Sequence, residues 1–211
     1  MTEKAKGLFI TLEGIEGVGK STAIRFLQAY LEEKGFDVVV TREPGGTEIA
    51  EAIRKILLAH YTESVLPITE LLLMFAGRAQ HIAHVIKPAL AENKIVLCDR
   101  FTDASFAYQG AGRGIPETFI QHLKDDIHSD LNPELTILLD APAKLGAQRA
   151  KHRGIEADRI EMEKIHFFER ARQCYLERAK KEPARFVVVD ATQSLAQVRQ
   201  RLIEIIEALF S

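Results

Sequence analysis

The sequence predicts an α/β fold in which a parallel sheet is covered by helices on both faces, and three observations carry that expectation. Five short runs are rich in apolar or β-branched residues: LFITLE (8–13), DVVVT (37–41), KIVLCD (94–99), LTILLD (135–140) and RFVVVD (185–190). Segments with helical spacing separate them, so strand and helix alternate along the whole chain. A glycine-rich loop joins the first strand to the first helix, at residues 14–19.

Taken in order, LFITLE is nearly all apolar, as a strand buried on both faces must be. The segment 20–34 then shows one apolar face, predicting an amphipathic helix. After DVVVT come helical patterns at 48–60 and 68–92, more than a minimal β-α-β unit needs. KIVLCD is the third strand and is followed later by a helix at about 116–130. LTILLD is the fourth, followed by helices at about 144–153 and 159–181 with the charged stretch KHRGIEADR (151–159) between them. RFVVVD and a helix at 193–210 complete the pattern. No repeat, low-complexity tract or linker interrupts it, so residues 1–211 are expected to form a single domain with a small lid at about 151–159.

Composition narrows the function classes. The 211 residues are 46% hydrophobic and 27% charged, with 28 basic against 30 acidic side chains and a formal net charge of −2. Nothing in that balance favours a nucleic-acid partner. The longest apolar run, 71–77, is far too short for a bilayer. The N-terminal MTEKAKGLFI lacks a signal-peptide pattern. Two separated cysteines, Cys98 and Cys174, form no redox motif and fit a reducing, cytoplasmic compartment. His81 and His84 stand one turn apart without a third metal ligand in view, so no metal-binding cluster is expected there.

Gly14, Gly19, Lys20 and Ser21 complete the pattern G-x-x-x-x-G-K-[ST] between a buried strand and an amphipathic helix. In such a loop, backbone N–H groups turn toward a polyphosphate, and the helix N-terminus adds partial positive charge. Residues 14–22 (Gly14, Ile15, Glu16, Gly17, Val18, Gly19, Lys20, Ser21, Thr22) are therefore expected to bind ATP. Lys20 would reach the β- and γ-phosphates, and Ser21 would offer its hydroxyl to Mg²⁺. Asp99, which ends the third strand beside Arg100, is the expected second metal partner. No N-K-x-D guanine motif occurs, and no SGG transporter signature.

Five further stretches resemble bacterial thymidylate kinases. They are TREPGGTEIAEAIRKILL (41–58), ELLLMFAGRAQHIAHVIKPAL (70–90), DRFTDASFAYQGAGRGI (99–115), NPELTILLDAPAKLGAQRA (132–150) and DRIEMEKIHFFERARQCYLE (158–177). The likeness runs over essentially the whole chain. It implies a three-layer P-loop fold with strand order 2-3-1-4-5, transfer of a phosphoryl group from ATP to dTMP, and a homodimer.

The resemblance also implies roles. Glu16, a carboxylate inside the phosphate loop, is directed at the acceptor's sugar. Glu43, Arg54 and Arg100 surround the acceptor's phosphate, where guanidinium groups make charge-assisted bonds. Arg78 hydrogen-bonds thymine, Ser105 and Gln109 face the base, and Tyr108 crowds C2′. The family's stacking ring falls at Met74 here, with Phe75 next, and either side chain can cover the base. Ala104 stands where serine is frequent. With no arginine in the phosphate loop, the catalytic arginine is expected at Arg153, with Arg149 and Arg159 assisting ATP. Two alternatives stay open at this point: another monophosphate acceptor such as dUMP, and a P-loop switch ATPase that acts on a protein.

Overall fold

A computed structural model describes residues 7–151 and 158–210. Strands β1 (Leu8–Glu13), β2 (Val38–Arg42), β3 (Ile95–Asp99), β4 (Leu135–Asp140) and β5 (Phe186–Asp190) form one sheet of order β2-β3-β1-β4-β5. Every pairing is parallel; Ile10 lies opposite Leu97 of β3 and Leu135 of β4. Helix α1 (Lys20–Glu33) follows β1, and α2 (Glu48–Leu58) and α3 (Pro67–His81) follow β2. A π-helical turn, Ile82–Ile86, and α4 (Lys87–Ala91) continue α3 up to β3.

Alternation along β1 divides the core. Ile10 and Leu12 join Ile95, Leu97 and the buried face of α1 (Ala23, Ile24, Leu27, Leu31) in the largest apolar cluster. Phe9 points the other way, with Val96 and Cys98, onto Ile82, Ile86 and Ala89. Burying one such side chain stabilises the fold by about 2 kcal/mol.

Two departures from the sequence expectation have local causes. The helix at 68–92 widens into a π turn because Pro88 has no amide hydrogen for the α-helical bond it would otherwise make. The helix expected from 159 begins only at α8 (Ile165–Lys181), since Asp158 Oδ1 accepts the amides of Ile160 and Glu161 and bends the chain into turns. Residues 102–112 are helical as well. They form α5 (Thr102–Ser105) and a second π turn, Phe106–Gly112, which packs on α8. Helices α6 (Glu117–His128), α7 (Ala143–Lys151) and α9 (Leu195–Leu209) complete the fold. No helix among the described residues is long and apolar enough to cross a membrane.

His128, at the end of α6, is 1% exposed and bonded at both ring nitrogens, to Thr102 Oγ1 (2.8 Å) and the Leu131 carbonyl (3.1 Å). Burial, then the Arg78 charge, lowers its pKa from 6.5 to about 4. The folded state therefore binds fewer protons than the unfolded one between those values. The contribution is complete above pH 6.5 and is lost as pH falls toward 4, amounting to about 3 kcal/mol. Urea unfolding of the wild-type protein should lose stability across this window, and His128→Gln should lose distinctly less; equal slopes would contradict the assignment.

Candidate active site

A cavity of about 620 Å³ opens at the carboxyl ends of β1, β2 and β3, where ligands of open α/β sheets bind. Its wall runs from the phosphate loop (Glu16, Gly17, Gly19 to Thr22) past Glu43, Arg54 and Arg100 to Met74, Arg78, Ser105, Tyr108 and Gln109. One space thus joins the expected donor and acceptor residues.

The loop's shape follows from its glycines. Gly17 has φ +75°, and a Cβ there would come 2.0 Å from the Gly146 carbonyl oxygen; one on Gly146 would come 2.4 Å from the Glu16 oxygen. Loop backbone and α7 backbone are in direct contact, which neither position could keep with a side chain. Lys20, 8% exposed, donates to the carbonyls of Gly14 (3.1 Å) and Ile15 (3.0 Å). Burial and the nearby Arg100 charge lower its pKa to about 8.

Asp99 Oδ1 is buried and has no hydrogen-bond partner among the described residues. With Ser21 it lines the same cavity. A hydroxyl and an unpartnered carboxylate oxygen beside a phosphate loop are hard donors that fit Mg²⁺.

Arg100 organises the centre of the site. Its backbone is left-handed (φ 71°), a conformation rare for a residue with a side chain. Its guanidinium donates to the Gly14 carbonyl (2.9 Å), the Tyr175 hydroxyl (3.2 Å) and Glu16 Oε1 (2.8 Å), and lies 4.7 Å from the Tyr108 ring centre. Tyr108 Oη donates to the other Glu16 oxygen at 2.7 Å. Glu16 therefore links the phosphate loop to Arg100 and Tyr108. Beneath them Glu13, fully buried, accepts from the Tyr175 hydroxyl and the Phe101 amide, both at 2.7 Å. Burial and the Asp103 charge push its carboxyl up to about 7.

Arg78, 2% exposed, donates through Nε to Glu43 (2.7 Å) and through Nη2 to Ser105 Oγ (3.1 Å) and the Phe101 carbonyl (3.2 Å). Its Nη1 is buried without a hydrogen-bond partner among the described residues. Glu43 also bonds His81 Nδ1 at 3.0 Å. Burial opposes the Glu43 charge, but Arg78 and His81 outweigh it and hold the carboxyl below its usual range. Arg54 donates to the Pro44 carbonyl at 2.9 Å.

Other expected residues are placed differently. Met74 lines the cavity, whereas Phe75 is buried outside it, 4.6 Å beneath the Arg78 guanidinium. Phe101, which the sequence did not single out, lines the cavity beside Arg78. Arg149 lines it too and bonds the Ala191 carbonyl at 2.8 Å. Arg159 is not in its wall; it donates to Glu70 (2.6 Å) and the Leu57 carbonyl (3.0 Å). Arg153 lies outside the described residues. Asp158 and Glu161, also in the wall, carried no separate signal in the sequence.

The comparisons with known proteins agree with this geometry. A family model described as thymidylate kinase matches residues 12–202. A thymidylate kinase of Pseudomonas syringae pv. tomato is 53% identical over 203 residues, 96% of each chain. One from Pseudomonas entomophila is 54% identical over 196 residues, 93% of each. The crystal structure of thymidylate kinase from Ehrlichia chaffeensis superposes with a TM-score of 0.76 at 34% identity, covering 95% of this chain and 98% of that one. Motifs, sheet order and cavity together place this chain in the thymidylate kinase family.

Proposed function

We propose that this chain transfers the γ-phosphoryl group of ATP to dTMP, giving ADP and dTDP. The observation that carries the reading is one continuous cavity with Lys20 and Ser21 at one end and, at the other, Ser105, Gln109 and Arg78, whose Nη1 has no partner among the described residues. The acceptor's phosphate is already an anion near neutral pH, so the site needs no general base. Its tasks are to align two anions, offset their charge and exclude water. Lys20 holds the donor's β- and γ-phosphates. Arg100 and Arg54 hold the acceptor's phosphate, with Arg100 set in place by Glu16 and Glu43 bracing the wall through Arg78. The Ser21 hydroxyl and Asp99 carboxylate would hold Mg²⁺, which supplies Lewis-acid charge neutralisation at the phosphates. Arg149 serves the ATP side, and Arg153 is assigned to the phosphoryl group in transfer, as an arginine finger in cis. Tyr108, fixed by Glu16, crowds the 2′ position and favours deoxynucleotides.

The test is ADP release with ATP and Mg²⁺ and one acceptor at a time: dTMP, dUMP, dCMP, dGMP or AMP. Strong preference for dTMP supports the reading. Preference for another acceptor overturns the base assignment, and turnover that ignores every acceptor returns the switch ATPase.

The partner most in keeping with the surface is a second copy of this chain. Ile49 and Ile56, seven residues apart on α2, are 55% and 49% exposed, and Leu72 on the adjoining α3 is 48% exposed. Such a face on two packed helices is what a self-complementary interface buries. Sedimentation should show a dimer that Ile56→Glu converts to monomer; a monomeric wild-type protein contradicts this. The cytoplasm, with its ATP supply and reducing conditions, is the proposed compartment.

A further inference from the structure

Gln109 sits on the π turn after α5, 1% exposed and in the cavity wall. Its amide nitrogen donates to Glu70 Oε1 at 2.9 Å. Glu70, on α3 and 1% exposed, also accepts from Arg113 Nε (3.2 Å) and Nη2 (3.1 Å) and from Arg159 Nη2 (2.6 Å). Burial opposes its charge, but the bonds from Arg113, Gln109 and Arg159 hold the carboxyl below its usual range. A carboxylate shared by two guanidinium groups has only acceptor positions to offer. An amide has one donating end and one accepting end. Glu70 therefore takes the donating end and leaves the Gln109 carbonyl oxygen for the cavity.

We propose that Glu70 is a positioning residue that fixes the polarity of Gln109, so that the site admits a pyrimidine whose N3 carries a hydrogen and rejects one whose N3 carries a lone pair. This rests on the reading that Gln109 faces the acceptor base. Thymine and uracil present N3–H to an acceptor; cytosine presents a lone pair, which the same carbonyl repels. Arg78 lines the same wall, and its buried Nη1, without a partner among the described residues, supplies the matching donor for the neighbouring C4 carbonyl, where cytosine has an amino group. The two residues together form a donor–acceptor pair of one fixed polarity, and Glu70 sets one half of it. A site of this kind discriminates because the wrong ligand leaves buried polar groups unpaired.

The test is the ratio of kcat/KM for dTMP to that for dCMP in the wild-type protein, Glu70→Gln, Gln109→Leu and the double variant. A glutamine at 70 can donate as well as accept, which frees the Gln109 amide to turn. Glu70→Gln should lower the ratio by about tenfold or more, a size typical of one buried hydrogen bond, and should have no further effect in the Gln109→Leu background. Arg113→Gln, which removes a partner of Glu70 without touching Gln109, should leave the ratio within about twofold. If Glu70→Gln alone does not fold, Glu70→Gln/Arg113→Gln removes one positive charge with the negative one and is read in its place. An unchanged ratio in the folded Glu70 variant, with a lowered one in Gln109→Leu, overturns the role of Glu70 alone. An unchanged ratio in Gln109→Leu overturns the base-facing reading beneath it.

Discussion

Lys20→Ala is expected to lower kcat/KM for ATP by roughly 10³-fold while leaving the fold intact, the scale on which removal of a preorganised donor to transition-state charge acts. The structure supplies the reasons. The Lys20 ammonium is buried at the mouth of α1 and bonded to two loop carbonyls, so it is positioned before nucleotide arrives. Arg100, whose charge lies nearby, is committed to Glu16, Gly14 and Tyr175 and does not take its place. The lowered pKa adds a pH signature. A bound polyphosphate favours the charged amine, so KM for ATP in the wild-type protein should rise as pH passes through about 8, where the free enzyme loses that proton. Steady-state kinetics at pH 7 and 9 check both statements. A loss below tenfold in the variant would contradict the assigned role.

Arg100→Ala is expected to cut kcat by about 10²- to 10³-fold and to raise KM for dTMP as well. Its removal takes away a cation and also the group that joins Glu16, Tyr175 and the phosphate-loop carbonyl. Among the described residues, Glu16 would keep the Tyr108 hydroxyl as its hydrogen-bond partner. Arg100→Lys should recover little, because a single ammonium cannot reproduce a planar fork that meets three acceptors and lies against an aromatic ring. Full activity in the lysine variant would show that charge alone is needed there.

The strands and the phosphate loop are legible in the sequence because local chemistry dictates them. Residues buried on both faces of a parallel sheet must be apolar throughout, and the five runs place the strands within one residue of their observed ends. The phosphate loop is equally legible, since its glycines and Lys20 act within one turn of chain. The glycine-rich stretch 110–114 was harder. Its composition resembles a loop, yet residues 106–112 are helical, and a Cβ on Gly112 would come 2.5 Å from the Phe167 ring. Glycine there permits close packing of two segments, and nothing local reveals it.

Buried ionic pairing was hidden for the same reason. Glu70, on an amphipathic segment, and Arg113, in the glycine-rich stretch, look like solvated positions, but among the described residues their side chains pair with groups distant in the chain. Glu13 reads as the polar end of a strand, although Tyr175, 162 positions away, completes its site. Among the acceptor residues, the resemblance named Arg78, but that Glu43, itself bonded by His81, holds it emerges only from the fold.

The central claim is that donor and acceptor phosphates meet in one continuous cavity. Its most direct test is inhibition by a bisubstrate analogue joining adenosine to thymidine through a polyphosphate chain. The analogue should compete with both ATP and dTMP and bind far more tightly than either nucleoside monophosphate, because linkage makes the second binding event intramolecular. Competition with only one substrate, at an affinity no better than that substrate's own, would show that the two sites do not share the cavity.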